Sequence, residues 1–187
     1  MTSRADDAER TGERIVDAML QRFASTPYAH IRLEDIADDA EVTVQTVLRR
    51  FGSKAALLVT TAQRELGRIA ASRAGIAGAS PRETVDALAD HYETYGALIL
   101  KMYSEAELVD GLVELARRGR EYHVAWCRSA FVVPTREGES HERRLAQIVA
   151  VCDARTWSIL RLDSGLSAEQ TKVALLELLL PVLEDFS

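Results

Sequence analysis

Little in this 187-residue chain favours strands or covalent staples. It has two cysteines, Cys127 and Cys152, too few for a disulfide scaffold. Four prolines and ten glycines exclude collagen-like and mucin-like chains. Aromatics make up only 6% of the residues, while Ala, Leu, Glu and Arg are abundant, a balance that favours helix over sheet. The longest apolar stretch, Val173–Leu183, is interrupted by Glu177 and Pro181 and falls short of the roughly 20 residues of a membrane span. The first twenty residues mix acids with bases and lack the apolar segment of a secretory leader, which points to a reducing cytoplasm. There is no Gly-rich phosphate loop, nucleophile elbow or paired-carboxylate pattern, so neither catalysis nor a cofactor is expected.

What is present is enough apolar material, 47% of the chain, to fill a real core, patterned at helical spacing. Residues 1–12 are polar and read as a flexible tail. A first helix runs from Glu13 through Ile15, Met19 and Phe23 to a stop at Pro27. Leu33, Ile36, Ala37 and Ala40 form a short second helix, and Val47 with Phe51 a third after a break at Glu41–Thr43. Ser53 caps a long fourth helix toward Ala74. The Gly/Ala/Ser/Pro stretch Gly75–Pro81 is the expected boundary between a unit at 13–75 and the remainder, 76–187. Pro81 opens a fifth helix toward Tyr103; Ser104–Arg118 and Gly119–Val133 read as two more. After a break at Pro134–Ser140, residues 141–163 and 168–186 form the last two, with Ser167 and Gln170 spaced as a capping box. The expectation is an all-α protein of nine helices.

The net charge of −6 argues against a polyanionic partner, but its distribution argues otherwise. Val42–Arg64 contains no acid, and Arg49, Arg50, Lys54 and Arg64 give it a charge of +4. The second and third helices, short and joined by a tight turn, have the form of a helix-turn-helix, whose second helix enters the DNA major groove. Ile36, Ala37 and Ala40 face Val42, Val47 and Phe51, leaving the opposite face of the third helix free. Gln45, Leu48 and Arg49, spaced i, i+3, i+4, project from that face together. Arg49 or Arg50 can bond guanine O6 and N7, Gln45 adenine N6 and N7, and Leu48 or Val44 can meet a thymine methyl. Thr43 can cap the third helix. Thr46 can offer its hydroxyl to a phosphate, and Lys54 lies in the first turn of the fourth helix, where free N–H groups favour an anion. An ordinary helical hairpin with solvated cations is the alternative.

The segment Leu33–Lys54, LEDIADDAEVTVQTVLRRFGSK, resembles the DNA-binding segment of the TetR family of transcriptional regulators. The likeness lies in its Ile-Ala, its Val-Thr turn, its Thr-hydrophobic pair and its final Phe-x-x-Lys. The resemblance implies phosphate contacts from Thr46 and Lys54, and positions facing DNA for Val44, Gln45, Arg49 and Arg50. It also implies a homodimeric repressor released from a palindromic operator by a small-molecule effector. An effector-independent or protein-regulated activator and a helical enzyme are the alternatives. Three positions depart from the family pattern. Glu41 stands where Gly is usual, at a cost of roughly 1–2 kcal/mol if the residue is left-handed. Leu48 stands where an aromatic is usual, and Arg32 where Thr or Ser caps the second helix.

In the remainder, the last two helices carry more apolar surface than one core face needs, as a dimer contact between helices would require. Tyr92, Tyr95, Met102, Tyr103, Tyr122, His123 and Trp126 are candidates to line a pocket for a small hydrophobic or amphipathic effector, with plain core packing as the equal alternative. His123 and Cys127, four apart, are too few for a metal site, so no metal is expected.

Overall fold

The computed structural model describes residues 4–74, 80–131 and 139–184, and among them there are nine α-helices and no strand. They are α1 (Arg4–Ser25), α2 (Leu33–Asp39), α3 (Val44–Phe51), α4 (Lys54–Arg73), α5 (Pro81–Glu105), α6 (Leu112–Ala130), α7 (Glu139–Val151), α8 (Ala154–Ser158) and α9 (Ala168–Leu183). None is long and apolar enough to cross a membrane.

The all-α expectation holds, but several boundaries differ. α1 begins at Arg4, so the described part of the expected tail is helical. Asp6 and Asp7 sit in the first turn, where the helix dipole favours acids, and Arg10 pairs with Asp7. The break expected at Gly119 lies instead at Val109–Gly111. α5 continues through Ser104 to Glu105, a 3₁₀ turn follows at Ala106–Leu108, Val109 is extended, and Gly111 takes φ +87° before α6 starts. A left-handed residue stops a helix, whereas a glycine inside one only weakens it, so α6 runs on through Gly119. The expected helix 141–163 is divided. Asp153 turns extended and its carboxylate accepts from the Arg155 N–H at 2.9 Å, starting α8, which widens into a π turn at Ile159–Asp163. The glycine-rich linker falls largely on residues 75–79, and the break expected from Pro134 falls largely on 132–138; both stretches lie outside the described residues.

The chain forms two compact units, Met1–Arg68 with Lys101–Arg117 and Ile69–Leu100 with Arg118–Ser187, so α4, α5 and α6 each contribute to both. In the first unit Ile15, Met19 and Phe23 of α1, Ile36 and Ala37 of α2, Val47 of α3 and Leu57 and Leu58 of α4 are buried. In the second, Leu88 and Tyr92 of α5, Cys127 of α6, Ile148 of α7 and Leu175 and Leu179 of α9 are buried.

Candidate nucleic-acid interface

The α2–α3 turn is built from local hydrogen bonds. The N–H of Val42 donates to the Ala37 carbonyl at 2.9 Å and that of Glu41 to Asp38 at 3.1 Å, the paired bonds that close a helix C-terminus around a left-handed residue. Glu41 is that residue, with φ +54°, the one non-glycine with positive φ among the described residues. The turn thus keeps the shape that a glycine would adopt without strain, and Glu41 also reaches Arg14 at 3.3 Å. Arg32 precedes α2 without a side-chain cap.

Thr43 caps α3, its hydroxyl oxygen accepting from the Thr46 N–H at 3.2 Å, while the two threonine hydroxyls lie 3.0 Å apart. α3 then sorts its residues as the spacing predicts. Val47 is fully buried, Val44 and Thr46 are half-buried, and Gln45, Leu48, Arg49 and Arg50 are exposed. Leu48 leaves 40% of its surface open, an apolar side chain on a face otherwise polar.

The basic window is narrower than its charge of +4. Arg64 is engaged by Glu13 at 2.9 Å, Asp17 at 2.7 Å and Glu65 at 3.0 Å. The Lys54 ammonium donates to the carbonyls of Tyr28 at 2.9 Å and Ile31 at 2.8 Å and sits 4.1 Å from the centre of the Tyr28 ring. Burial there lowers the Lys54 ammonium below its ordinary value. It clamps the loop before α2 and keeps one of its three donors for another acceptor. That leaves Arg49 and Arg50, and neither has an ion pair among the described residues.

One neighbour of this face lies within residues 1–12, whose polarity alone reads as a tail. Asp7, Ala8 and Thr11 of α1 join Thr46, Arg49 and Arg50 of α3 around a groove of about 420 Å³. The Arg50 guanidinium lies over Gly12, where any larger side chain would collide with it.

The aromatic candidates do not form one set. Met102 and Tyr103 belong to the first unit; Tyr92, Tyr95, Tyr122, His123 and Trp126 belong to the second. Tyr92 is core rather than pocket wall: it is 2% exposed, and its hydroxyl donates to the Cys152 carbonyl at 2.7 Å. Burial pushes that phenol above its ordinary range. Tyr95 is half-buried with its ring 5.0 Å from that of His91. Tyr122 donates to the Ala70 carbonyl at 2.9 Å, and His123 stacks on Trp126 at 6.4 Å. The Cys127 thiol lies 3.7 Å from His123 Nε2. A hydrogen bond with Cys152 pulls that thiol down to about 6, with His123 and Arg73 acting in the same sense and burial opposing.

At the centre of this unit is Arg73, absent from the candidates and 4% exposed. It donates to His123 Nδ1 at 3.3 Å, and since a guanidinium cannot accept, that nitrogen is the acceptor and Nε2–H donates to the Val149 carbonyl at 3.2 Å. Its spacing was a usable signal: Arg73 follows Ile69 by four and so falls on the buried stripe of α4.

Residues 15–60 match the family model of bacterial regulatory proteins, tetR family. The HTH-type transcriptional repressor KstR of Mycobacterium tuberculosis is 39% identical over 71 residues, 37% of this chain and 32% of KstR. The match therefore spans about a third of that relative's length. Among solved structures, a transcriptional regulator from Rhodococcus sp. Rha1 superposes with TM-score 0.71 at 17% identity over 92% of this chain and 95% of its own. The transcriptional regulator FadR of Bacillus subtilis, in complex with stearoyl-CoA, gives 0.67 at 17% identity over 92% and 99%. Identities this low speak to the fold alone. Through residues 15–60 the chain is similar to the tetR family of bacterial regulatory proteins.

Proposed function

We propose that this protein is a cytoplasmic, homodimeric, ligand-responsive transcriptional repressor that binds a palindromic DNA operator through Val44, Gln45, Thr46, Leu48, Arg49, Arg50 and Lys54. The observation that carries this reading is the solvent face of α3, where Gln45, Leu48, Arg49 and Arg50 are exposed side by side and no acid pairs with either arginine among the described residues. A duplex offers partners of the right kind: phosphates for the charge, guanine edges for the fork of an arginine, a thymine methyl for Leu48. Residues 13–75 act as the DNA-binding part and 76–187 as the effector-binding and dimerisation part.

Dimerisation is supported by the far end of the chain. Thr171, Leu175 and Leu179 line the buried side of α9, while Val173, Leu178 and Leu180 on the same helix and Ile159 and Leu162 before it are exposed. A two-fold contact through these residues covers apolar surface that a monomer leaves wet, and the two reading helices that serve a palindrome need a separation of about 34–36 Å, one turn of DNA. Repression is supported by the KstR relatives, and a small hydrophobic or amphipathic effector by the stearoyl-CoA complex of FadR.

The test is selection of duplexes from a random pool by the purified protein. An inverted repeat is the expected product, and Arg49→Ala should weaken its binding by about 1–3 kcal/mol while the melting temperature and oligomeric state stay unchanged. A monomer that ignores every duplex at low salt defeats the proposal.

A further inference from the structure

The second unit buries a cation without giving it a carboxylate. Arg73 is 4% exposed, its Nε has no hydrogen-bond partner, and among the described residues no carboxylate pairs with it. Around it are two ring faces, Tyr92 at 5.1 Å and Trp126 at 5.2 Å, and one neutral acceptor, His123 Nδ1. Rings and an imidazole attract a guanidinium, but they do not neutralise it, and the buried Nε–H is left without an acceptor. Other groups here register the excess positive charge. His91, whose Nε2 is likewise buried without a partner, is held neutral, its value pushed down to about 3 by burial and then by Arg73 and His123.

Arg73 also lines a cavity of about 260 Å³ with Tyr122, Trp126 and Ser129. Two walls are aromatic, one is a cation, and no acid lines it. We infer that this cavity is a binding site for a small organic carboxylate, its apolar body against Trp126 and Tyr122 and its carboxylate on the Arg73 guanidinium. The inference rests on the effector reading above and names the chemical class of the effector. A buried charge that lacks a counter-ion is costly to the ligand-free protein, and an arriving carboxylate recovers that cost as two charge-assisted hydrogen bonds in the fork geometry. A neutral ligand of the same shape recovers none of it, so the site discriminates by charge rather than by size.

The experiment uses the full-length protein near neutral pH, with thermal shift and calorimetry on benzoate, phenylacetate, hexanoate and octanoate against benzyl alcohol, phenylethanol, hexanol and octanol. Carboxylates are expected to raise the melting temperature and to bind at least about tenfold tighter than the matched alcohols. Arg73→Met should erase the preference while melting at or above the parent without ligand, and Arg73→Lys, which keeps the charge but not the fork, should retain part of it. Should R73M fail to fold, the acid-over-alcohol ratio of the parent and of R73K decides. Equal binding of acids and alcohols, or no binding of any acid, overturns the inference and leaves Arg73 as a cation held by its rings. It is equally overturned if Arg73→Met and Cys127→Ser both melt below the parent by a similar amount and no acid binds, since the thiolate is then the counter-ion. Release of the selected duplex is measured separately. A neutral compound that releases DNA where acids do not bind sinks the carboxylate site but not the effector reading; Arg73-dependent acid binding without release does the reverse.

Discussion

Around α3 and around Arg73 the chain holds polar side chains in opposite ways. Thr43 caps its own helix, Val42 and Glu41 close the turn before it, and the arginines that follow point into solvent. Each of those bonds spans three to five residues. Around Arg73 the polar groups are mostly buried, and their partners are distant: His91 to the more exposed Ser72 across 19 positions, Arg73 to His123 across 50, Tyr92 to Cys152 across 60. The first region is shaped by neighbours in the chain and exposes its chemistry; the second is shaped by helix packing and hides it. A solvent face can lose a side chain without unfolding, whereas a buried polar cluster couples chemistry to stability.

The contrast is sharpest between residues that share the α2–α3 unit. Ile36 is fully buried, and Ile36→Ala should cost about 2–5 kcal/mol of stability and with it DNA binding. Leu48→Ala, on the exposed face, should change stability by no more than about 0.5 kcal/mol and alter only affinity for DNA. Denaturant unfolding and duplex titration on the same samples separate the two; a large stability loss from Leu48→Ala would mean that the exposed face is packed in solution.

Acid should act on the second region through His91. Its folded value, about 3, lies below its ordinary 6.5, so the unfolded chain takes up the proton first. The stability this group supports is complete above about pH 6.5 and drains as pH falls toward 3, by up to about 1.4 kcal/mol per unit. Melting temperature against pH in the parent and in His91→Gln reads this directly. The parent should lose ground below pH 6.5 faster than the variant, and parallel curves would show that His91 protonates in place.

What the amino-acid order disclosed follows the same division. Thr43, Ser53 and the Ser167–Gln170 box were legible as caps because a cap bonds within its own helix turn. The exposed set Gln45, Leu48 and Arg49 was legible because helical spacing alone decides which residues share a face. Asp153 as the start of α8, and Gly111 rather than Gly119 as the break before α6, were not. Each choice among several plausible stop signals is made by what the neighbouring helices can bury. Arg64 and Lys54 show the limit on charge counting: both are basic by sequence, and the fold gives one to three carboxylates and the other to two carbonyls.

Lys54 therefore belongs to both regimes, and its substitution weighs them against each other. Lys54→Ala removes two charge-assisted bonds to the Tyr28 and Ile31 carbonyls and should lower stability by about 1–2 kcal/mol. If its remaining donor also meets a phosphate, the slope of log affinity against log salt should fall by about one, uniformly across DNA sequences. A lower melting temperature with an unchanged salt slope would confine Lys54 to the clamp.

The smallest effect is expected at Glu41, where the local region carries its own strain. A left-handed residue with a Cβ costs roughly 1–2 kcal/mol, and replacing it with glycine returns about 0.5–1 kcal/mol to the unfolded chain as extra freedom. The pair that Glu41 makes with Arg14 is exposed on both sides and adds little. Glu41→Gly should therefore stabilise the protein by about 0.5–1 kcal/mol with no change in the α3 face, read as a shift in the urea midpoint at constant slope. Glu41→Ala separates backbone from charge, since it removes the carboxylate but keeps the Cβ. If alanine gains as much as glycine, repulsion near the DNA-facing surface, and not the left-handed turn, is what Glu41 costs.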